Sequence, residues 1–242
     1  LGWTGDTQVF ANVAAYNKFS PEFYTKWIVD LNLGRQDELY PSFAPYPYRA
    51  PRRSAPGENF FSAGWGDAGI ICPWQLFRKY GDTRVCRIWL DNMERSLLRQ
   101  IERHNGSTIV SDAFYGDWLN LDAPTDKTLI ASAYLAGMMQ LVARMASVCG
   151  DTVRAERMKE LRGIAEKTFA EKFFSADGEI SCKTQTAALM TLHFDLVPEH
   201  AYRKTVDFLV NDIEVARDCH LSTGFLGTPL LLPVLPRIGR TD

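Results

Sequence analysis

An all-α fold of paired helices is the class this sequence predicts, and three observations carry it. Apolar residues recur at spacings of three and four along most of the chain. Segments that are apolar nearly all round alternate with charged ones, at roughly 40 to 60 residues per pair, as a toroid of helix hairpins requires. No period-two alternation persists beyond about four residues, so no strand is predicted.

Each element follows in order. A first helix is expected over residues 6–19, with Val9, Phe10, Val13 and Ala14 in step and Asp6 or Thr7 at its start. Ser20-Pro21-Glu22 reads as an N-cap with proline at the first helical position. Phe23, Tyr24, Trp27, Ile28 and Leu31 form the stripe of a second helix, antiparallel to the first across a short turn. Residues 41–56 hold five of the twelve prolines and predict a long loop across one mouth of the fold. Tyr40, Tyr46 and Tyr48 there either reach a ligand or belong to a passive cover.

A third helix is expected over 66–80, or from near Ile71 so that Pro73 falls in its first turn. Gly81 stops it. Val85, Ile88, Trp89, Met93, Leu97 and Ile101 then predict one long fourth helix to His104, itself read as an ordinary surface residue. Residues 107–125 form the second long loop. Asp126 starts a broadly apolar fifth helix of inner character. A charged sixth covers 152–174, with Met158, Leu161, Ile164, Ala165 and Phe169 inward. The seventh (184–194) is apolar and inner, the eighth (198–215) charged and outer. A ninth, broken by Pro229 and Pro233, runs over 226–235.

Composition narrows the function. The 242 residues are 46% apolar and 23% charged, which suits one large globular domain with a sizeable core. A net charge of −2 argues against nucleic acid, whose phosphates need a basic surface. The basic cluster at Arg49, Arg52 and Arg53 reads as a solvated loop. Five scattered cysteines without CxxC spacing predict neither a metal site nor a disulfide framework. No uninterrupted apolar run reaches about 18 residues, so no membrane span is expected. With neither initiator methionine nor signal peptide, the chain is expected to start inside something longer. Its compartment stays open between cytoplasm and periplasm or exterior.

One chemical pattern recurs. Trp3, Gly5 and Asp6 precede the first helix, Gly64-Trp65-Gly66-Asp67 opens the third, and Tyr115-Gly116-Asp117-Trp118 lies in the second long loop. An indole offers a flat apolar face, a carboxylate accepts from two neighbouring hydroxyls, and glycine permits close approach. Those parts suit a sugar ring. Alternatively, each segment is a helix start with a capping acid and a packed tryptophan. Three such clusters, each at the mouth of a helix, point to one shared aromatic and acidic cleft. Trp27, Trp74 and Trp89 lie in apolar-periodic runs and are expected in the core.

Five motifs in order then carry a resemblance: LGWTGDTQVF; WGDA followed by PWQLFRKYGD; GDWL; KTQTAALMTLHFDLVPE; and HLSTGFLGTPLLLPVL. Together they resemble the catalytic domain of the α-L-rhamnosidases of glycoside hydrolase family 78 over nearly the whole chain. The resemblance implies an (α/α)6 barrel, present as a partial domain that lacks its N-terminal residues and last helices. It also implies inverting hydrolysis of terminal α-L-rhamnosyl units, no cofactor or metal, and a rhamnose-containing oligosaccharide or glycoside as substrate.

Inversion uses two carboxyl groups about 6.5–9.5 Å apart. By resemblance the general acid is a glutamate just before Leu1 and the base a glutamate beyond Asp242, so both are expected outside this chain. Asp6 corresponds to the carboxylate beside the acid, holding rhamnose hydroxyls and raising the acid's pKa through like charge. Trp3, Trp65 and Trp118 are expected as apolar walls. Asp67 and Asp117 either accept hydroxyls or brace the indoles, and His220 reaches the sugar or the attacking-water side. Gln185 and Thr186 match a family segment and are expected at least to pack. A lyase or epimerase on the same toroid remains an alternative, disfavoured by an acidic mouth. A non-catalytic carbohydrate-binding scaffold is the other.

Overall fold

The computed structural model describes residues 2–46 and 60–240. Leu1, Tyr48 and the Arg49, Arg52 and Arg53 cluster lie outside the described residues. The elements are helices: α1 (Thr4–Asn17), α2 (Pro21–Leu33), α3 (Ala68–Tyr80), α4 (Arg84–Arg87), α5 (Leu90–Arg103), α6 (Lys127–Val148), α7 (Thr152–Phe173), α8 (Gln185–His193), α9 (Glu199–Asn211) and α10 (Leu231–Val234). A π turn (Asp212–Ala216) extends α9, and 3-10 turns flank α10. Among the described residues β pairing is limited to three isolated bridges.

Packing follows the predicted alternation. Helices α1, α3, α6, α8 and α10 each touch the next, while α2 lies against α3, α5 and α7 against α6, and α9 against α8. This is an arc of a two-layer helical toroid. The inner α6 buries fifteen of its 22 residues, on every face. It is long and apolar enough to cross a membrane, yet 83% of its apolar stretch is buried by protein, so it serves as the spine of the core. In α8 every residue except His193 is buried. Outer helices bury one stripe only, such as Ala201, Thr205 and Leu209 of α9.

Three helix starts carry side-chain caps where the sequence placed them. Asp126 accepts from the Thr128 N–H, Asp151 from Arg154 and Thr184 from Ala187, each such cap contributing ~1 kcal/mol. Elsewhere the structure corrects the expectation. Helix α1 begins two residues early, at Thr4, with Trp3 as its cap residue and no side-chain cap bond. Helix α3 begins at Ala68, which puts Pro73 inside it rather than in its first turn.

The long fourth helix is two. At Trp89 the backbone leaves helical geometry (φ −111°, ψ 5°), and Ile88 turns to solvent, 66% exposed. Val85, Met93 and Leu97 face the core as the spacing predicts, and across the break Cys86 and Leu90 join them in place of Ile88. In α7 Ile164 is likewise exposed, and Arg162 takes the inward position. Trp27 is buried, and Trp74 and Trp89 pack against the core. All five cysteines are free. His104 is part-buried, with Nδ1 on the Gln100 carbonyl and Nε2 accepting from the Ser111 N–H.

Candidate active site

In a ring of antiparallel hairpins every inner helix starts at the same end. The segments before α1, α3, α6, α8 and α10 therefore gather at one mouth, although they lie far apart in sequence. Backbone hydrogen bonds stitch them together. Thr4 N–H donates to Ser42 (3.0 Å), Ala44 to Gly2 (2.8 Å), Ser42 to Phe60 (2.7 Å) and Ala63 to Asp112 (2.7 Å). On the other side Leu121 donates to Ser222 (3.2 Å) and Phe225 to Trp118 (2.7 Å).

The three tryptophans meet around a residue the sequence reading did not single out. The Tyr115 ring centroid lies 5.7 Å from Trp3, 4.7 Å from Trp65 and 6.3 Å from Trp118. Edge-to-face geometry at Trp3 and Trp118 sets positive ring edges against negative faces. Trp65 also packs on Phe225 at 5.6 Å, and Trp3 on Phe43 at 5.8 Å. Trp65 is buried, whereas Trp3 and Trp118 are 39% and 52% exposed. One indole is thus buried and the other two stay partly open to solvent.

Glycine makes two of these approaches possible. A Cβ on Gly5 would sit 2.8 Å from Trp65 Nε1, so α1 lies flat on the indole only because position 5 has no side chain. A Cβ on Gly224 would strike the Trp118 carbonyl oxygen, closing the 117–120 loop off from the 224–227 turn. Local motif and long-range contact are here the same requirement.

The three acids take different positions. Asp6 lies in the first turn of α1, exposed. Asp117 is 3% exposed and fully engaged by protein. Its Oδ2 accepts from Thr186 Oγ1 (2.5 Å) and the Gly224 N–H (2.7 Å), and its Oδ1 from the N–H groups of Leu226 (2.8 Å) and Gly227 (3.1 Å). It braces a loop. Asp67 is 2% exposed, and its Oδ2 accepts from the Gly64 N–H at 2.7 Å. Burial pushes its carboxyl up to about 7, with the Gly64 bond pulling the other way. Burial also raises the Tyr134 phenol, and the charges of Asp67 and Asp117 add to that, so both acids bear on the inner face of α6.

Gln8 of α1 donates to the Gly64 carbonyl at 2.5 Å, and its buried Oε1 finds no protein donor among the described residues. Gln185 donates to the His220 carbonyl (3.2 Å) and Asp212 (2.9 Å) and accepts from the Ser222 N–H (2.9 Å), so it holds the last loop by its backbone. His220 itself is exposed. Its Nδ1 faces the carbonyls of Arg217 (2.9 Å) and Asp218 (2.6 Å) and must carry the proton there. In the neutral ring Nε2 then remains an acceptor. No ring contact among the described residues joins His220 to the tryptophans. Likewise, no group of three or more His, Cys, Asp or Glu is arranged to hold a metal ion among them. Two surface grooves, at Gln140–Glu166 on α6 and α7 and at Val206–Arg240 by α9, lie away from this mouth.

Comparison with known proteins decides the family. A profile of the bacterial α-L-rhamnosidase six-hairpin glycosidase domain matches residues 1–242. The chain belongs to that family. An α-L-rhamnosidase of Streptomyces avermitilis is 42% identical over all of this chain, which spans 22% of that relative's length. One from an Alteromonas species is 33% identical, again over the whole chain, which spans 27% of it. The solved S. avermitilis rhamnosidase, in complex with L-rhamnose, superposes with a TM-score of 0.89 at 41% identity, over all of this chain and 22% of that one. The chain therefore spans about a quarter of the length of the curated rhamnosidases it matches. The all-α arc described above is part of a six-hairpin glycosidase toroid.

Proposed function

We propose that this chain forms the rhamnose-binding wall of an α-L-rhamnosidase, and that the whole protein removes terminal α-L-rhamnosyl units by inverting general acid/base hydrolysis. The observation that carries the reading is the convergence of Trp3, Trp65 and Trp118 on Tyr115 at the mouth of the helical arc. Two partly exposed indoles and a buried one, gathered on one tyrosine, suit the apolar C–H face and methyl of a deoxyhexose. Asp6, exposed in the first turn of α1 three residues after Trp3, is the carboxylate proposed to take the sugar's hydroxyls and to raise the pKa of the neighbouring acid.

Asp67 and Asp117, sealed and occupied by protein donors, are proposed to brace the wall. His220 is proposed to present Nε2 toward the sugar or the attacking water. An inverting pair must flank the scissile bond with room for water. Of the three acids singled out at the mouth only Asp6 is exposed, which supports placing the general acid and base in other segments of the whole protein.

The test uses the full-length protein and an aryl α-L-rhamnoside. Asp6→Asn is expected to lower kcat/KM by tenfold or more, ~1.4 kcal/mol of transition-state stabilisation. An unchanged rate would remove Asp6 from the site. Failure of the wild type to release rhamnose would favour the binding-scaffold alternative, provided L-rhamnose still quenched tryptophan fluorescence.

A further inference from the structure

The first turns of α1 carry two kinds of side chain. Gly5 and Gln8 lie on its buried face, whereas Asp6, about 200° round the helix from Gln8, lies on its exposed one. Gln8 is 6% exposed and reaches across to the loop that opens α3, where its amide Nε2 donates to the Gly64 carbonyl. Among the described residues this is the one hydrogen bond between α1 and the 60–67 loop, and the one that the Gly64 carbonyl accepts.

Gly64 is gripped from its other side as well. Its N–H donates to Asp67 Oδ2 (2.7 Å), and its φ of 79° is one that glycine adopts without strain. The next residue is Trp65, whose N–H donates to the Ser62 carbonyl (2.9 Å). The Trp65 indole lies against Gly5 of α1 and packs on Tyr115 and Phe225. Gln8 therefore ties the residue before Trp65 to the helix whose first turn carries Asp6.

Stability alone does not explain a glutamine here. Its second amide atom, Oε1, is buried with no donor among the described residues, and an unpaired buried acceptor costs stability. A side chain kept only to hold the core together would avoid that cost. A packing rule broken in this way behind a binding wall points to a geometric need.

We infer that Gln8 is a positioning residue of the sugar site: acting through Gly64, it fixes the Trp65 indole relative to the Asp6 carboxylate so that both meet one sugar ring. Gln8 itself touches no substrate. This rests on reading the mouth as the rhamnose site.

The experiment uses the full-length protein, an aryl α-L-rhamnoside and Gln8→Met, which keeps the length of the side chain and removes the bond. Methionine also removes the unpaired oxygen, so loss and relief offset each other and melting is expected within a few degrees of wild type. KM is expected to rise about tenfold with kcat within about threefold, and L-rhamnose affinity, read by tryptophan fluorescence, to fall in proportion. The loss should run through the indole: in a Trp65→Phe background, Gln8→Met is expected to raise KM by about twofold at most. Thr205→Val, which removes a buried hydroxyl bonded to the Ala201 carbonyl on α9 (3.0 Å), controls for a purely structural loss and should leave KM unchanged. Gln8→Asn, one methylene short of Gly64, is expected to repeat the methionine result and replaces it if that variant does not fold.

A wild-type KM in either Gln8 variant would overturn the assignment. So would effects that multiply in the Trp65→Phe background, an equal rise in KM in Thr205→Val, or a failure of both Gln8 variants to fold, which would assign the residue to stability. A wild type that neither releases rhamnose nor binds it refutes the reading of the mouth itself. A wild type that does both, with Gln8→Met indistinguishable from it, refutes the role of Gln8 alone.

Discussion

Replacing Asp117 by asparagine takes one acceptor oxygen from a carboxylate that satisfies four donors. The remaining oxygen can keep the Leu226 and Gly227 N–H groups (2.8 and 3.1 Å). The new NH2 can donate to Thr186 Oγ1, whose hydroxyl rotates to another acceptor. The Gly224 N–H then faces an amide nitrogen across a buried 2.7 Å contact, with no acceptor. An unsatisfied buried donor costs ~1–3 kcal/mol, and the two surviving bonds lose the charge that made them roughly twice as strong. The sum is ~2–5 kcal/mol, against a typical total stability of ~5–15 kcal/mol. At ~2–4 °C per kcal/mol, melting of this domain falls by roughly 4–20 °C.

Far-UV circular dichroism on full-length wild type, Asp117→Asn and Asp117→Ala reads the effect, with the alanine variant, which strands all four donors, falling further. An asparagine variant melting with wild type would refute the argument that this carboxylate holds the 117–120 loop to the 224–227 turn.

Asp67 sets a pH dependence. Its carboxyl stands at about 7 in the fold against an ordinary 3.8, so the folded chain holds this proton more tightly than the unfolded one. The stability it contributes is full below about pH 4 and is lost as pH rises to about 7, up to ~4 kcal/mol at ~1.4 per pH unit. Asp67→Asn keeps an acceptor for Gly64 and should flatten melting temperature across that window; a variant keeping the wild-type slope would assign the slope elsewhere. Tyr115→Ala should weaken L-rhamnose binding about tenfold, since three aromatic contacts of ~0.5–1.5 kcal/mol each position the indoles, while Tyr115→Phe retains it. Tryptophan fluorescence titration distinguishes the two, and a phenylalanine variant as weak as alanine would shift the role to the phenol. Gly224→Ala forces a Cβ against backbone atoms of Asp117 (2.7 Å) and Asn120 (2.8 Å) that cannot yield, so it should lower stability by ~1–3 kcal/mol in urea unfolding. An unchanged midpoint would show the two loops free to separate.

Much of the fold was legible because helix starts write themselves locally. Asp126 announced the start of α6, the helical spacing placed α7 and α8 at 152 and 184, and the all-round apolar run of α6 marked it as inner. The break at Trp89 was not legible, because Val85, Ile88 and Trp89 keep helical spacing on either side of it. Spacing reports which side chains could share a face and says nothing of a residue held off the helix by its neighbours. At the mouth, repeated Trp, Gly and Asp showed that the three segments belong together. Tyr115 was quoted with its motif but given no role, because its importance lies in joining tryptophans from three segments, and its neighbours in sequence do not show that. Asp117 illustrates the same limit. Two of its donors are the N–H groups of Leu226 and Gly227, more than a hundred positions away, and backbone donors leave no mark in the letters.

The hydrogen bonds between entry loops bear on how such a surface passes between proteins. Gly2 is tied to Ala44, Phe60 to Ser42, Asp112 to Ala63, and Trp118 to Phe225. No short stretch cut from the chain would bring more than a corner of the surface with it. Exchange of gene segments could transplant single hairpins of this ring but not the mouth that its entry loops build together. That mouth has to be inherited as one block, and change within it has to come by substitutions that respect partners hundreds of nucleotides away.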